Sequence, residues 1–239
     1  MNSRLAHVVA LACRAQAYAP RANTRAGGTL GTLRDTETWF RIDNATAAAP
    51  ETTPVYLYDE IGMWGVTAAD FVQALAGVTT PALDLHINSP GGSVFDGIAI
   101  HAALVNHTAT VNTVVDGIAA SAASFIAMAG DTRSIEKPAS MMIHDASGLV
   151  LGNAGDMRAM ADVLDQLSNA IAGIYADRAG GTPADWRASM LAETWYTSDQ
   201  AVTAGLADTV LNDNAPAPDA PADRRSQLIR ARARVTLRG

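Results

Sequence analysis

From Pro54 onward, short runs rich in β-branched and apolar residues alternate with runs of helical periodicity, and this alternation constrains the fold most strongly. The strand-like runs are VYLYD, ALDLHIN, TVNTVVD and SMMIHD. The helical runs begin near Thr67, Ser93, Ser121 and Asp156. Strands that alternate with helices are joined by crossover connections, which make the strands parallel and cover the sheet with helices. The pattern therefore predicts an α/β fold.

Composition divides the chain into one compact domain with two extensions. Residues 1–53 are rich in Ala, Thr, Arg and Gly and end in the linker-like AAAPETTP, which predicts a partly disordered leader. Residues 54–212 carry the alternating pattern and predict a single compact domain. Residues 213–239 are rich in Pro and Ala and then in Arg, a composition typical of a disordered tail.

Charge and cysteine content argue against several classes of protein. The net charge of -7 gives no general basic surface for nucleic acid. The single cysteine, Cys13, excludes an internal disulfide. The apolar N-terminal run LAHVVALAC is interrupted by His7 and is shorter than the roughly 20 residues of a membrane span. We therefore expect a chain that needs no oxidising compartment and has no nucleic-acid or membrane partners. An export signal ending at AYA, residues 17–19, is the alternative for the N-terminus.

A serine stands among small residues in GIAASAAS, residues 117–124, directly after a strand-like run. Helix N-termini offer free N–H groups and the positive end of the helix dipole, so this serine, Ser121, is suited to act as a nucleophile. Its small neighbours leave room for a substrate backbone. The same pattern also fits a serine that only caps the helix or packs closely, and both interpretations stay open.

Two adjacent glycines follow the next strand-like run upstream, in INSPGGS, residues 87–93. Glycines at such a turn expose backbone N–H groups and adopt torsions closed to other residues, which suits an oxyanion hole or an anion nest. The motif lacks the G-K-[ST] of a P-loop and the spacing of G-x-G-x-x-G. An ordinary turn is the alternative.

An imidazole stands at the end of the apolar strand-like run SMMIH. Ligands of open parallel sheets collect at the carboxyl ends of the strands, so His144 is a candidate base, although a structural histidine fits equally well. We expect His86 to be structural, and His101 and His107 to face solvent.

The order of these motifs resembles the family of the Clp protease proteolytic subunit (ClpP) over about residues 54–211. The segments that carry the resemblance are INSPGGSVFDGIAI, VVDGIAASAASFIAMAGD, SMMIHDASG and ETWYTSDQAVTAGLAD. The opening segment VYLYDEIGMWGVTAADFVQAL resembles the bacteriophage branch, the head-maturation or prohead proteases. The resemblance implies a ClpP/crotonase-like fold, a spiral of β-β-α units, and a serine endopeptidase that uses neither metal nor organic cofactor.

Matching the family motifs onto this sequence implies a role for each candidate residue. The G-x-A-A-S motif places the nucleophile on Ser121, and the M-I-H motif places the general base on His144. Gly91 and Ala122 would supply backbone N–H groups to the oxyanion.

The third member of the triad departs from the family pattern. The cellular enzymes carry aspartate at the position that aligns with Glu193 when the match is counted back from AVTAGLAD. Glutamate can also orient a histidine, but its extra methylene changes the reach. Asp208, Asp199 and Asp156 are the reserve candidates. Asp145 is a poor one, because neighbours on a strand point to opposite faces.

The phage resemblance implies a homo-oligomeric ring that hydrolyses scaffold or capsid proteins without ATP. It also implies that the enzyme acts in the host cytoplasm or inside an assembling phage head. Two other functions stay open: a catalytically silent ClpP-like structural protein, and a crotonase-type acyl-CoA enzyme. A Ser–Lys dyad would need Lys137, the sole lysine, which we predict to lie in a solvated loop.

Overall fold

The computed structural model describes residues 40–42 and 51–211, which form eight strands and six helices. The strands are β1 Phe40–Ile42, β2 Thr52–Leu57, β3 Ala82–Ser89, β4 Thr110–Ala120, β5 Thr132–Glu136, β6 Ser140–Ile143, β7 Thr194–Thr197 and β8 Thr209–Leu211. The helices are α1 Ala68–Leu75, α2 Val94–Val105, α3 Ala122–Ala127, α4 Ala154–Ala179, α5 Pro183–Leu191 and α6 Ser198–Thr203. The predicted tail and most of the predicted leader lie outside the described residues.

The sheet is mainly parallel, in the order β1-β2-β3-β4-β5-β8. β2, β3, β4, β5 and β8 pair in parallel, while β1 runs antiparallel to β2 at one edge. The predicted α/β class with a parallel sheet is therefore confirmed. β1 lies in the predicted leader, and β2 begins two residues before Pro54.

The long strand β4 changes partner along its length. Residues 112–115 pair with β5, and residues 118–120 pair in parallel with β6, which in turn pairs antiparallel with β7. The sequence predicts a strand that stops at Asp116, but the pairing with β6 extends it to Ala120. The residue that follows β4 therefore emerges beside the end of β6.

The core lies between the sheet and the helices packed on it. Alternate residues of β2 and β3 are buried, as the two-residue period of a strand requires, and Leu83, Leu85 and Ile87 are fully buried. Burial of one such side chain stabilises the fold by roughly 1.5–3 kcal/mol. This core holds the carboxyl ends of β3 and β4 rigidly in place.

Helix caps explain where several helices begin. Thr182 followed by Pro183 predicts a cap residue before proline at the first helical position, and the structure confirms it: the Thr182 hydroxyl accepts from the N–H of Asp185, and Pro183 is the first helical residue. Ser198 before DQAVTAG predicts a cap at that serine, but α6 begins one residue earlier than predicted, because Thr197 is the cap and Ser198 is already helical. Among the described residues, no helix is long and apolar enough to cross a membrane.

Candidate active site

Ser121 lies at the sharp turn between β4 and α3. Its φ of 53° and ψ of -122° fall in a region that residues other than glycine rarely adopt, at a cost on the order of 1–3 kcal/mol. Its N–H donates to the carbonyl of Met142 at 2.9 Å, which ties the turn to the end of β6. Its side chain makes no capping hydrogen bond to α3, so the capping interpretation is wrong.

His144 follows β6 and meets this serine directly. Because Ala120 pairs with Met142, the residues just beyond the two strands emerge side by side. The Nε2 atom of His144 lies 2.7 Å from Oγ of Ser121, and both residues are half-buried. In the tautomer protonated on Nδ1, the hydroxyl donates to Nε2, which is the arrangement needed for a general base.

The two glycines of the S-P-G-G turn have different surroundings. Gly91, which the sequence predicts as an oxyanion donor, is buried, and its N–H donates to Oγ of Ser89 at 3.1 Å. Gly92 is exposed and lines the cleft beside Ser121, and its N–H meets no backbone acceptor among residues 51–211. This geometry favours Gly92 over Gly91, a distinction that the sequence reasoning missed.

Ala122 provides a second backbone N–H at the same place. It is the first residue of α3, and its N–H has no backbone acceptor in the described part of the chain. Ala122 lines the cleft together with Ser121 and Gly92. The first N–H groups of a helix have no partner within that helix and are available to an oxyanion.

Glu193 lies in the turn just before β7, and His144 follows β6. Ile143 and Thr194, the neighbours of these two residues, form the last pair of the antiparallel ladder between β6 and β7. Glu193 is exposed, has a left-handed φ of 49°, and its carboxylate accepts no hydrogen bond from any described residue.

The reserve carboxylates all have other partners. Asp208 pairs with Arg133, with 2.5 Å between Oδ1 of the aspartate and a guanidinium nitrogen. Asp199 pairs with Lys137 at 2.6 Å, which also takes the lysine away from any Ser–Lys dyad. Asp156 caps α4 together with Asn153.

Asp145 is also engaged by another partner, Arg187. Its carboxylate accepts from Nε of Arg187 at 2.8 Å, and the same guanidinium donates to Asp165 and to Asn169. These bonds raise the pKa of Arg187, with the Asp145 hydrogen bond as the largest cause. The network fastens the residue after His144 to α4 and α5.

The other histidines have structural surroundings. Nδ1 of His86 lies 3.0 Å from the Asp116 carboxylate, which raises the pKa of His86 against the opposing effect of burial. His101 and His107 are half-buried, so the expectation that they face solvent is wrong. Burial lowers the pKa of His101, whose Nε2 has no partner among the described atoms.

A cleft opens over the Ser–His pair and continues into an apolar groove. The cleft is lined by Gly92, Val94, Ser121, Ala122, Phe125, His144, Asp145, Ala146, Ser147, Ile171 and Tyr175. The adjoining groove is lined by Ser93, Val94, Phe95, Ser147, Gly148, Leu149, Met160, Val163, Leu164 and Leu167. Within the described ranges, no group of three or more His, Cys, Asp or Glu side chains is placed to hold a metal ion.

A serine hydroxyl bonded to an imidazole, beside free backbone N–H groups at the carboxyl ends of a parallel sheet, is the arrangement of an α/β serine hydrolase. Residues 55–214 match the family model described as Clp protease. The chain belongs to the Clp protease family.

Three relatives described as the ATP-dependent Clp protease proteolytic subunit illustrate the similarity. The subunit of Pleurastrum terricola is 38% identical over 129 residues, which are 53% of this chain and 65% of the relative. Subunit 1 of Protochlamydia amoebophila is 35% identical over 130 residues, 53% of this chain and 63% of the relative. That of Bacteroides fragilis is 33% identical over 131 residues, 54% and 63% respectively. The chain thus spans less than two thirds of the length of these relatives.

Proposed function

We propose that this protein is a serine endopeptidase in which Ser121 is the nucleophile and His144 the general base. The observation that carries the proposal is the 2.7 Å contact between Oγ of Ser121 and Nε2 of His144. The strained backbone of Ser121 supports it, because such strain persists where surrounding structure holds a functional residue in place.

The geometry supports the usual two-step hydrolysis. Nε2 of His144 takes the hydroxyl proton as Oγ attacks the scissile carbonyl, and the carbonyl oxygen becomes an oxyanion. His144 then gives the proton to the amide nitrogen as the C–N bond breaks. A water molecule attacks the acyl-enzyme, passing its proton through the same imidazole, and releases the second product and free Ser121.

We assign the oxyanion donors to the N–H groups of Gly92 and Ala122, since the N–H of Gly91 is held by Ser89. Two such donors act on charge that develops only in the transition state. We assign the third triad position to Glu193, because it adjoins Thr194, which pairs with Ile143 beside His144, and because the reserve carboxylates are engaged elsewhere.

The surroundings of the pair favour a polypeptide substrate. The cleft is flanked by residues 92–94 on one side and 144–147 on the other, and the adjoining groove offers an apolar surface to side chains. An acyl-CoA enzyme has no need of a hydrogen-bonded serine and histidine, so the site favours peptide hydrolysis over the crotonase-type alternative.

A fluorophosphonate probe tests this chemistry. We expect it to label the wild-type protein at Ser121, with labelling abolished in Ser121→Ala and strongly slowed in His144→Ala. Ser134→Ala, a change on β5 at a hydroxyl bonded to Thr209, serves as the control and should be labelled like wild type. Absence of wild-type labelling, or equal labelling of Ser121→Ala, would favour the catalytically silent alternative.

We further propose that the protein works in bacteriophage head maturation, cutting scaffold or capsid proteins without an ATPase, as a homo-oligomeric ring. The resemblance of residues 55–75 to the phage branch supports the role. Exposed apolar side chains at Leu149, Leu151 and Met157 support assembly, because apolar patches of this kind mark interfaces. Co-expression with candidate phage capsid and scaffold proteins should yield cleaved products with wild type and none with Ser121→Ala.

A further inference from the structure

Two buried hydroxyl groups lie directly behind the nucleophile. Ser124 is 0% exposed and Tyr175, which reaches in from α4, is 1% exposed. Oγ of Ser124 lies 2.5 Å from the backbone carbonyl oxygen of Ser121 and 2.7 Å from the hydroxyl oxygen of Tyr175. The sequence shows Ser124 as a second serine in GIAASAAS, but gives no sign that it touches Tyr175.

The direction of the protons in this chain follows from the chemistry of the three groups. A carbonyl oxygen can only accept, so the single proton of the Ser124 hydroxyl is donated to Ser121. The Tyr175 hydroxyl must then donate to Oγ of Ser124. Burial raises the pKa of the Tyr175 phenol well above its usual range, so this donor keeps its proton at every working pH.

The carbonyl that receives these bonds belongs to the same peptide group as a proposed oxyanion donor. The C=O of Ser121 and the N–H of Ala122 lie in one planar trans unit and point in opposite directions. The N–H of Ser124, at 3.0 Å, is a further donor to this carbonyl. Whatever holds the carbonyl therefore also fixes the direction in which the Ala122 N–H points.

We propose that Ser124 and Tyr175 are positioning residues that hold the Ser121–Ala122 peptide plane, so that the Ala122 N–H is aimed at the oxyanion. The inference rests on the proposed peptidase function. The chain of hydroxyl groups also polarises the peptide unit, because each hydrogen bond strengthens the next one in a low-dielectric interior. The strained turn at Ser121 is thus stabilised by the side chains of Ser124 and Tyr175 as well as by the hydrogen bond from its N–H to the carbonyl of Met142.

Kinetics of Ser124→Ala and Tyr175→Phe test the proposal. Loss of an oxyanion donor lowers kcat by about 100- to 1000-fold, and misdirection of one donor should cost less. We expect roughly a tenfold lower kcat in Ser124→Ala and a smaller loss in Tyr175→Phe, with KM nearly unchanged. The double variant should be no slower than Ser124→Ala, because Tyr175 acts through Ser124.

A peptide boronate, whose tetrahedral adduct places an oxygen in the oxyanion site, separates positioning from packing. Its inhibition constant should rise by the same factor by which kcat/KM falls in each variant. Ser189→Ala is the matched control, because Ser189 also bonds a backbone carbonyl, that of Asp185, on α5. Unchanged boronate affinity in Ser124→Ala, or additive losses in the double variant, would overturn the proposal.

A crystal structure of Ser124→Ala decides the matter independently of catalysis. We expect the Ser121–Ala122 peptide plane to turn and φ of Ser121 to move away from 53°. An unchanged plane in that variant would overturn the inference even if the wild-type protein is fully active. Failure of the wild-type protein to react with fluorophosphonate would instead overturn the proposed function, and the crystallographic result would still decide on the role of Ser124.

Discussion

Removing the charge of Glu193 is the most direct test of the proposed triad. Glu193→Gln keeps the length and shape of the side chain and removes its negative charge. We expect the change to slow acylation of Ser121, because an imidazolium forms at His144 in the transition state and an adjacent carboxylate stabilises it.

The size of the effect distinguishes two situations. Residues directly across an antiparallel pair have Cβ atoms about 5 Å apart, and Glu193 and His144 each adjoin such a pair, that of Thr194 and Ile143. We propose that a rotation of the Glu193 side chain brings its carboxylate to the His144 ring. A hydrogen bond to a charged group contributes about 1.5–3 kcal/mol, which corresponds to a rate loss of about 10- to 150-fold. An exposed carboxylate acting through water at about 10 Å contributes only about 0.4 kcal/mol, or twofold.

The assay is the second-order rate of fluorophosphonate labelling, followed by hydrolysis of a fluorogenic peptide. Glu51→Gln is the matched control: Glu51 is also exposed, and it precedes β2 at the amino-terminal edge of the sheet, away from the cleft. Thermal unfolding of both variants checks that the fold is intact. We expect the control to stay within twofold of wild type and Glu193→Gln to lose at least tenfold.

A loss of twofold or less in Glu193→Gln would refute the reasoning. The carboxylate would then act only through solvent, and the Ser–His pair would work as a dyad.

Three further predictions concern stability. Gly92→Ala should abolish fluorophosphonate labelling and lower Tm, because a Cβ at this position would lie 2.0 Å from the carbonyl oxygen of Ile61. Gly173→Ala should stabilise the fold by roughly 0.5–1 kcal/mol, because a Cβ at that position meets open space. Burial alone would raise the pKa of Asp208, but hydrogen bonds from Arg133 outweigh burial, and the net effect lowers this pKa. The ionised Asp208 carboxylate therefore stabilises the fold at neutral pH, and this stabilisation is lost as pH falls through the folded-state pKa. Asp208→Asn should therefore lower Tm by about 2–4 °C at pH 7 and by much less at pH 2, and an equal loss at both would contradict the linkage.

The parallel α/β fold could be predicted because its strands and helices have clear local signals. The runs ALDLHIN and TVNTVVD show β-branched and apolar patterning, and Thr182 with Pro183 marks a helix start. β7 and β8 escaped prediction because they are only four and three residues long and exist through pairing with β6 and β5. The extension of β4 to Ala120 has the same origin, since three of the four residues of GIAA are Gly or Ala, which are depleted in strands.

The Ser–His pair could be predicted because each residue stands at the end of a strand that the sequence marks. The choice between Gly91 and Gly92 as the oxyanion donor could not be predicted, because it depends on which groups the Ser89 hydroxyl contacts. Ser89 is fully buried, donates to the carbonyl of Asp59 and accepts the N–H of Gly91. A turn motif read alone contains no information about a contact thirty residues away in the chain.

The case for Glu193 rests on elimination as well as on register. Asp208, Asp199 and Asp156 are bound by an arginine, a lysine and a helix N-terminus respectively, and each would have to break those bonds to reach the imidazole. Breaking these bonds would destabilise the fold and displace the segment that carries each aspartate. Glu193 has no such bond to lose, and its left-handed backbone sits at the start of β7 beside the end of β6. Of the carboxylates considered, Glu193 is therefore the one we propose as the third member of the triad, and we expect its charge to affect the rate more than the binding of substrate.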